Sequence, residues 1–177
     1  ERFLERARLW KKEYGGAIYI NSGGVSGNLT GIYINNAAKY GGAIYIHSIT
    51  KSVIRDCAFI NNVNTLGTGS GNIIAINCWF GNNATNYNQK PTNVGNVTID
   101  NWLFLNATAN STKINVGETS TINFKLDSYN DISKKISSYK TPINLILDLT
   151  QILGELNKNN ASIGENILYT ARKYGNG

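Results

Sequence analysis

Apolar positions in the first half of the chain recur on a fixed period. Tyr14-Gly-Gly16 leads into the short apolar run Ala17-Ile-Tyr-Ile20, and the same seven residues, YGGAIYI, return unchanged at Tyr40 to Ile46, 26 residues later. A second series, Gly31-Ile-Tyr-Ile-Asn-Asn36, Cys57-Ala-Phe-Ile-Asn-Asn62 and Cys78-Trp-Phe-Gly-Asn-Asn83, repeats at spacings of 26 and then 21. Glycine permits a sharp bend, and aromatic and β-branched side chains favour a pleated strand, so each copy reads as corner and then strand. Repeats of this length cannot bury an apolar side alone and must stack on one another. The pattern predicts a short parallel β-helix of about three coils, over Tyr14–Lys39, Tyr40–Thr65 and Leu66 to about Asn88, with strands in parallel register about 4.8 Å apart.

Two other stretches follow different patterns. In residues 1–13, Phe3, Leu4, Ala7 and Trp10 fall on one helical face, which predicts an amphipathic helix capping the open end of the first coil. After a polar linker over residues 84–95, the chain alternates cleanly: Trp102 to Ala109, Thr119 to Leu126 with Ile122, Phe124 and Leu126 on one face, and Ile143, Leu145, Leu147 and Leu149. Such strands between longer polar loops predict an immunoglobulin-like β-sandwich over residues 96–177. Thr150 to Lys158 reads alternatively as a helical turn. Tyr174 to Gly177 reads as a turn with no strand after it, so the sandwich is expected to be incomplete, with an open edge. The predicted fold is all-β, divided at 1–13, 14–95 and 96–177.

Composition supports a fold made of turns. Of 177 residues, 27 are Asn and 18 Gly, only 2 are Pro, and the charged fraction is 16%, low against a usual ~25%. Asn tolerates the left-handed region and bonds to nearby backbone. The pairs Asn35-Asn36, Asn61-Asn62 and Asn82-Asn83 are expected to stack at one turn as an amide ladder. Cys57 and Phe59 share a parity and point inward with Ile54, which requires a corner at Arg55-Asp56; Asn77 takes that corner one coil on. Cys57 and Cys78 are expected as two packed, free thiols, not a metal pair.

The net charge of +6 is scattered apart from Arg2, Arg6, Arg8, Lys11 and Lys12. Nothing resembles a basic stripe interleaved with aromatics, so nucleic acid is not an expected partner. No run reaches the ~18–20 apolar residues of a membrane-spanning helix. With no Met and Glu1 in first place, the sequence reads as part of a longer protein, and the lack of a signal peptide says nothing about export. Acceptor triplets for N-glycosylation stand at Asn28, Asn83, Asn96, Asn106, Asn110 and Asn160.

The two YGGAIYI copies, the Cys57 and Cys78 motifs, and the junction Asn96 to Leu105 followed by Ile114 to Ile122 resemble the adhesin-like surface proteins of methanogenic archaea. In that family right-handed parallel β-helices precede invasin-type immunoglobulin-like domains. Two departures stand out: Gly31 replaces the Cys of the motif, and residues 1–13 are no coil. The resemblance implies a non-catalytic segment of an extracellular, cell-surface protein that presents a repetitive face to glycans or to proteins of a neighbouring cell, with no cofactor.

Parallel β-helices also carry polysaccharide lyases and hydrolases, which need several acids in one place. Between Tyr14 and Asn88 there is one acid, Asp56. The lone His47 has no ligand-spaced or nucleophilic partner and reads as a turn residue. Tyr14, Tyr19, Tyr33, Tyr40 and Tyr45 are candidate sugar-stacking residues, with ring faces for contact and hydroxyls for hydrogen bonds. Core packing accounts for them equally well, because both sides of the YGGAIYI strand are apolar. A purely structural stalk is the third reading.

Overall fold

The computed structural model describes residues 13–21, 29–81, 90–91, 97–140 and 142–173, the side chains at 49 and 50 excepted. Every element among them is a strand. The capping helix expected over 1–13 lies outside the described residues apart from Glu13.

Identical seven-residue runs place identical residues opposite one another. Strand β1 (Ile18–Ile20) pairs in parallel with the start of β3 (Ile44–Ile60), with Ile18 opposite Ile44 and Tyr19 opposite Tyr45. Strand β2 (Leu29–Ile34) pairs with the far end of β3, with Gly31 opposite Cys57 and Tyr33 opposite Phe59. Thus β3 rounds a corner, and the parallel sheet is curled. On its other side lies β4 (Leu66–Ile76), with Leu66 opposite Ile44 and Ala75 opposite Ile54. The pairing of β3 with β4 shifts between Ser48 and Lys51, so three steps along β3 match two along β4, from Ser70 to Asn72.

The corner falls where the change of parity demands it. Asp56 and Asn77 both have positive φ, at 55° and 51°, and Ile54, Cys57 and Phe59 on either side are buried. Rings stack along the interior: Tyr33 on Phe59 at 5.3 Å, and Phe59 on Phe80 at 5.4 Å. Ile44, Ile46, Leu66, Ile73 and both cysteines complete this core.

The second Gly of the repeat is set by the close approach of the next repeat's backbone. A Cβ on Gly16 would lie 2.0 Å from the carbonyl oxygen of Gly42, and one on Gly42 1.8 Å from that of Val63. No larger residue fits.

The parallel sheet runs on past residue 96, where the antiparallel module is expected to begin. Strand β5 (Val97–Ile99) pairs with β4, Ile99 opposite Ala75, and Trp102 forms a parallel bridge with Cys78. Asn101-Trp-Leu-Phe-Leu-Asn106 is therefore a further copy of the Asn77-Cys-Trp-Phe-Gly-Asn82 motif, with Trp in place of Cys. Trp102, Phe104 and Tyr129 join the interior core of the parallel part.

From there β6 (Asn101–Ala109) turns to antiparallel pairing with β7 (Thr119–Asn130), which also pairs with β8 (Lys135–Ser138). The antiparallel sheet has the order β10 (Gly154–Leu156), β12 (Asn166–Ala171), β7, β6. Strands β9 (Ile146–Asp148) and β11 (Asn160–Ser162) form a separate pair. Gly154–Leu156 is thus a strand within the segment offered as a helical turn. Leu103 and Leu126 on one face of the sheet pack with Ile143, Leu145, Ala58 and Trp79 in a second core.

Candidate functional site

The pleat sends alternate residues of β1 and of the start of β3 to opposite sides. Ile18, Ile20, Ile44 and Ile46 pack into the core, so Tyr19 and Tyr45 stand on the outer side. There Tyr19 stacks on Tyr45 with ring centroids 5.7 Å apart and planes 11° from parallel. Tyr14 and Tyr40, joined by a parallel bridge just before the two glycines, stack at 5.3 Å. Tyr14 links the two pairs, lying 4.8 Å from Tyr45 and 6.5 Å from Tyr19. Four of the five candidate tyrosines thus form one cluster. Tyr33 does not join it: its ring continues the interior stack over Phe59, so its place is against the core.

A third tyrosine row would crowd this face, and the sequence supplies glycine instead. Gly67 lies opposite Tyr45, and a Cβ on it would come 3.1 Å from the Tyr45 ring; one on Gly69 would come 2.9 Å from the Tyr45 hydroxyl oxygen. Tyr45 therefore lies across a glycine floor and is buried at 5% exposure, whereas Tyr40 is 44% exposed and Tyr14 and Tyr19 are half-buried. Burial, with the neighbouring phenols Tyr14, Tyr19 and Tyr40 behind it, raises the Tyr45 pKa above the ordinary phenol value. At neutral pH it remains a hydrogen-bond donor. The Lys39 ammonium sits 5.2 Å over the Tyr40 ring, a cation–π contact. His47, expected in a turn, is instead inside β3, exposed, with its ring 6.3 Å from that of Tyr45.

The amide ladder forms between the first two repeats. The Asn36 side chain and backbone N–H both donate to Asn62 Oδ1, at 3.0 and 2.9 Å, and Asn62 Nδ2 donates to the Tyr33 carbonyl at 2.8 Å. Asn35 and Asn61 supply the left-handed turns beside it, with φ of 55° and 52°. Asn82 and Asn83 lie outside the described residues.

Cys57 and Cys78 are free thiols, fully buried. Cys57 Sγ donates to the Leu29 carbonyl at 3.0 Å, and Cys78 Sγ reaches the equivalent Ile54 carbonyl at 3.8 Å. The register slips between Leu29 and Gly31; the thiol answers a carbonyl beside that slip, a job for a small, buried, weak donor. The adjacent Cys78 thiol, and then burial, push the Cys57 pKa far up, so the sulfur stays protonated. Among the described residues, no three His, Cys, Asp or Glu side chains stand close enough to hold a metal.

Asp56 is engaged by the antiparallel part. The Tyr139 hydroxyl donates to its Oδ1, and burial, then this bond, raise the Tyr139 pKa. One repeat on, Asn77 Oδ1 accepts from Asn101 Nδ2 and, at 3.0 Å, from Ser128 Oγ. This second polar column, Asp56, Asn77 and Asn101, was not foreseen as a ladder; its signal is the Asn or Asp standing just before each Cys or Trp of the motif.

Of the glycosylation triplets, Asn28, Asn83 and Asn96 lie outside the described residues. Asn106 Nδ2 donates to the buried Asp127 at 2.7 Å, so that amide is committed inside the fold. Asn110 and Asn160 are exposed, although Asn110 Oδ1 accepts from Ser120 Oγ and the Thr121 N–H. No helix among the described residues is long and apolar enough to cross a membrane. No protein family, curated protein or solved structure matches this chain.

Proposed function

We propose that this chain is a non-catalytic segment of an extracellular, cell-surface adhesin-like protein, and that its tyrosine cluster binds glycans. On this reading the curled parallel sheet is a short β-helix, and the antiparallel strands belong to an immunoglobulin-like sandwich.

The observation that carries the proposal is the gathering of Tyr14, Tyr19, Tyr40 and Tyr45 on the outer side of the sheet, away from the core. Aromatic faces cover the apolar faces of sugar rings, and phenol hydroxyls reach sugar hydroxyls. The rings within reach of a sugar are the exposed Tyr40 and the half-buried Tyr14 and Tyr19, with Tyr14 5.3 Å from Tyr40 and 6.5 Å from Tyr19. Each contact is weak, and several in one molecule, or on many copies at a surface, raise avidity. Against the rival of a polysaccharide-cleaving enzyme stands the engagement of Asp56, the one acid between Tyr14 and Asn88, by Tyr139. The burial of Tyr45 favours a second reading, a passive stalk whose tyrosines only pack.

One experiment separates the three. The protein and its Tyr40→Ala variant are passed over a panel of immobilised neutral and acidic polysaccharides, and the eluates are examined for cleavage. Retention that Tyr40→Ala abolishes at unchanged melting temperature supports glycan binding. Cleavage products would overturn it in favour of an enzyme, and absence of retention on every glycan leaves the stalk.

A further inference from the structure

One face of β7 is finished at one end and open at the other. Leu126 is 1% exposed beneath Ile143 and Leu145, yet Ile122 and Phe124 on the same face are only half-buried. They floor a cleft of about 710 Å³, together with the half-buried Tyr169 of the neighbouring β12, whose Ile167 is fully buried beneath it. The volume lies within the range of ligand sites, but the shape is that of a sheet face: Ile122 and Phe124 alternate along β7, and Tyr169 stands beside them on the paired β12, opposite Ser120.

The rims show what kind of occupant fits. Residues 111–114 and 149–153, outside the strands, also line the cleft. Among the described residues, the amides of Lys113, Ile114, Thr150, Gln151 and Ile152 donate no backbone hydrogen bond. A lipid chain would fill the apolar space and leave those groups unused. An extended peptide would bury alternate side chains on the floor and pair its backbone with a rim, as in strand addition to an exposed sheet edge. Among the described residues that line the cleft, the charged ones are Lys113 and Lys173.

We infer that this cleft is a docking site for an extended peptide strand with apolar residues at alternate positions and acidic residues between them. The floor from Ser120 to Phe124, at about 3.4 Å per residue, takes a strand of roughly five to seven residues.

The test uses residues 1–177 and a labelled peptide of about seven residues with Ile or Val alternating with Glu. Controls are a scrambled peptide of the same composition, the alternating peptide N-methylated at every second amide, and dodecanoate as competitor. Fluorescence anisotropy should show saturable binding of the alternating peptide. N-methylation should weaken it at least about tenfold, the loss of one or two backbone hydrogen bonds, and the surface variant Lys113→Glu/Lys173→Glu should weaken it several-fold while leaving the melting temperature unchanged. Equal binding of the scrambled or N-methylated peptide, full displacement by dodecanoate, or no saturable binding would each overturn the proposal. So would a concentration-dependent dimer that the peptide fails to dissolve, which would assign the cleft to a second copy of the chain.

Discussion

The hydroxyl of Tyr139 donates to the carboxylate of Asp56, 83 residues earlier, and so fastens the antiparallel part to a corner of the parallel one. A hydrogen bond to a charged group contributes about 1.5–3 kcal/mol, less where water reaches it. Both residues are half-buried, so Tyr139→Phe should cost about 1–2 kcal/mol in urea unfolding. Combined with Asp56→Asn in a double-mutant cycle, it should show coupling of at least about 0.5 kcal/mol. Strict additivity would mean that the bond contributes nothing.

Alkaline pH should destabilise the protein through Cys57. Its folded-state pKa lies far above the ordinary thiol value of 9.0, because of Cys78 and burial. The unfolded chain therefore gives up this proton first, and fewer bound protons in the unfolded state mean that stability falls as pH rises. The contribution is complete below about pH 9 and is lost above it at about 1.4 kcal/mol per pH unit. Tyr33, Tyr45 and Tyr139, raised above 10.0, add to the slope higher up. Urea midpoints between pH 8 and 10 should decline in the parent and decline less in Cys57→Ala; parallel curves would rule out this source.

Gly42→Ala should be far more damaging than Gly117→Ala. The added methyl at Gly42 meets the Val63 carbonyl, whereas at Gly117 it meets nothing and faces only the strain of a φ of 90°. Expected losses are more than about 3 kcal/mol for the first and about 1–2 kcal/mol for the second. Thermal melts of the two variants would show the contrast, and similar values would mean that the coils are not stacked so closely.

Trp102→Ala should open the end of the interior column. Trp102 is 3% exposed and stands in register with Cys78, and removing a buried aromatic costs about 3–5 kcal/mol. Because Trp102 belongs to the same core as Cys57 and Phe59, amide exchange should accelerate at residues 57–59 as well as at 102–104. Acceleration confined to the antiparallel strands would show that the two parts do not share that core.

The all-β content, the curled parallel sheet and the 26-residue register of its first two repeats were legible because identical runs can bury identical faces only by stacking in phase. The corner at Asp56 was legible for a related reason, since Ile54 and Cys57 cannot both face inward along an unbroken pleat. Trp102 was harder to place. It continues the Cys57 and Cys78 row, yet the alternation from Trp102 to Ala109 also satisfies the antiparallel pairing that β6 enters, and one pattern served two sheets. The side taken by Tyr19 and Tyr45 could not be read from YGGAIYI alone, where every residue after the glycines is apolar or aromatic. It was written one coil later, at Gly67 and Gly69, as missing side chains where a bulky ring needs room.

The shifted pairing between Ser48 and Lys51 separates two requirements that most strand pairs leave tied. On one side of it Ile44 and Ile46 keep their partners Leu66 and Thr68, and on the other Ile54 keeps Ala75, although the intervening stretches differ in length. A one-residue difference there leaves both buried rows in register, so this stretch of the sheet is a natural place to graft a loop, a tag or a reporter.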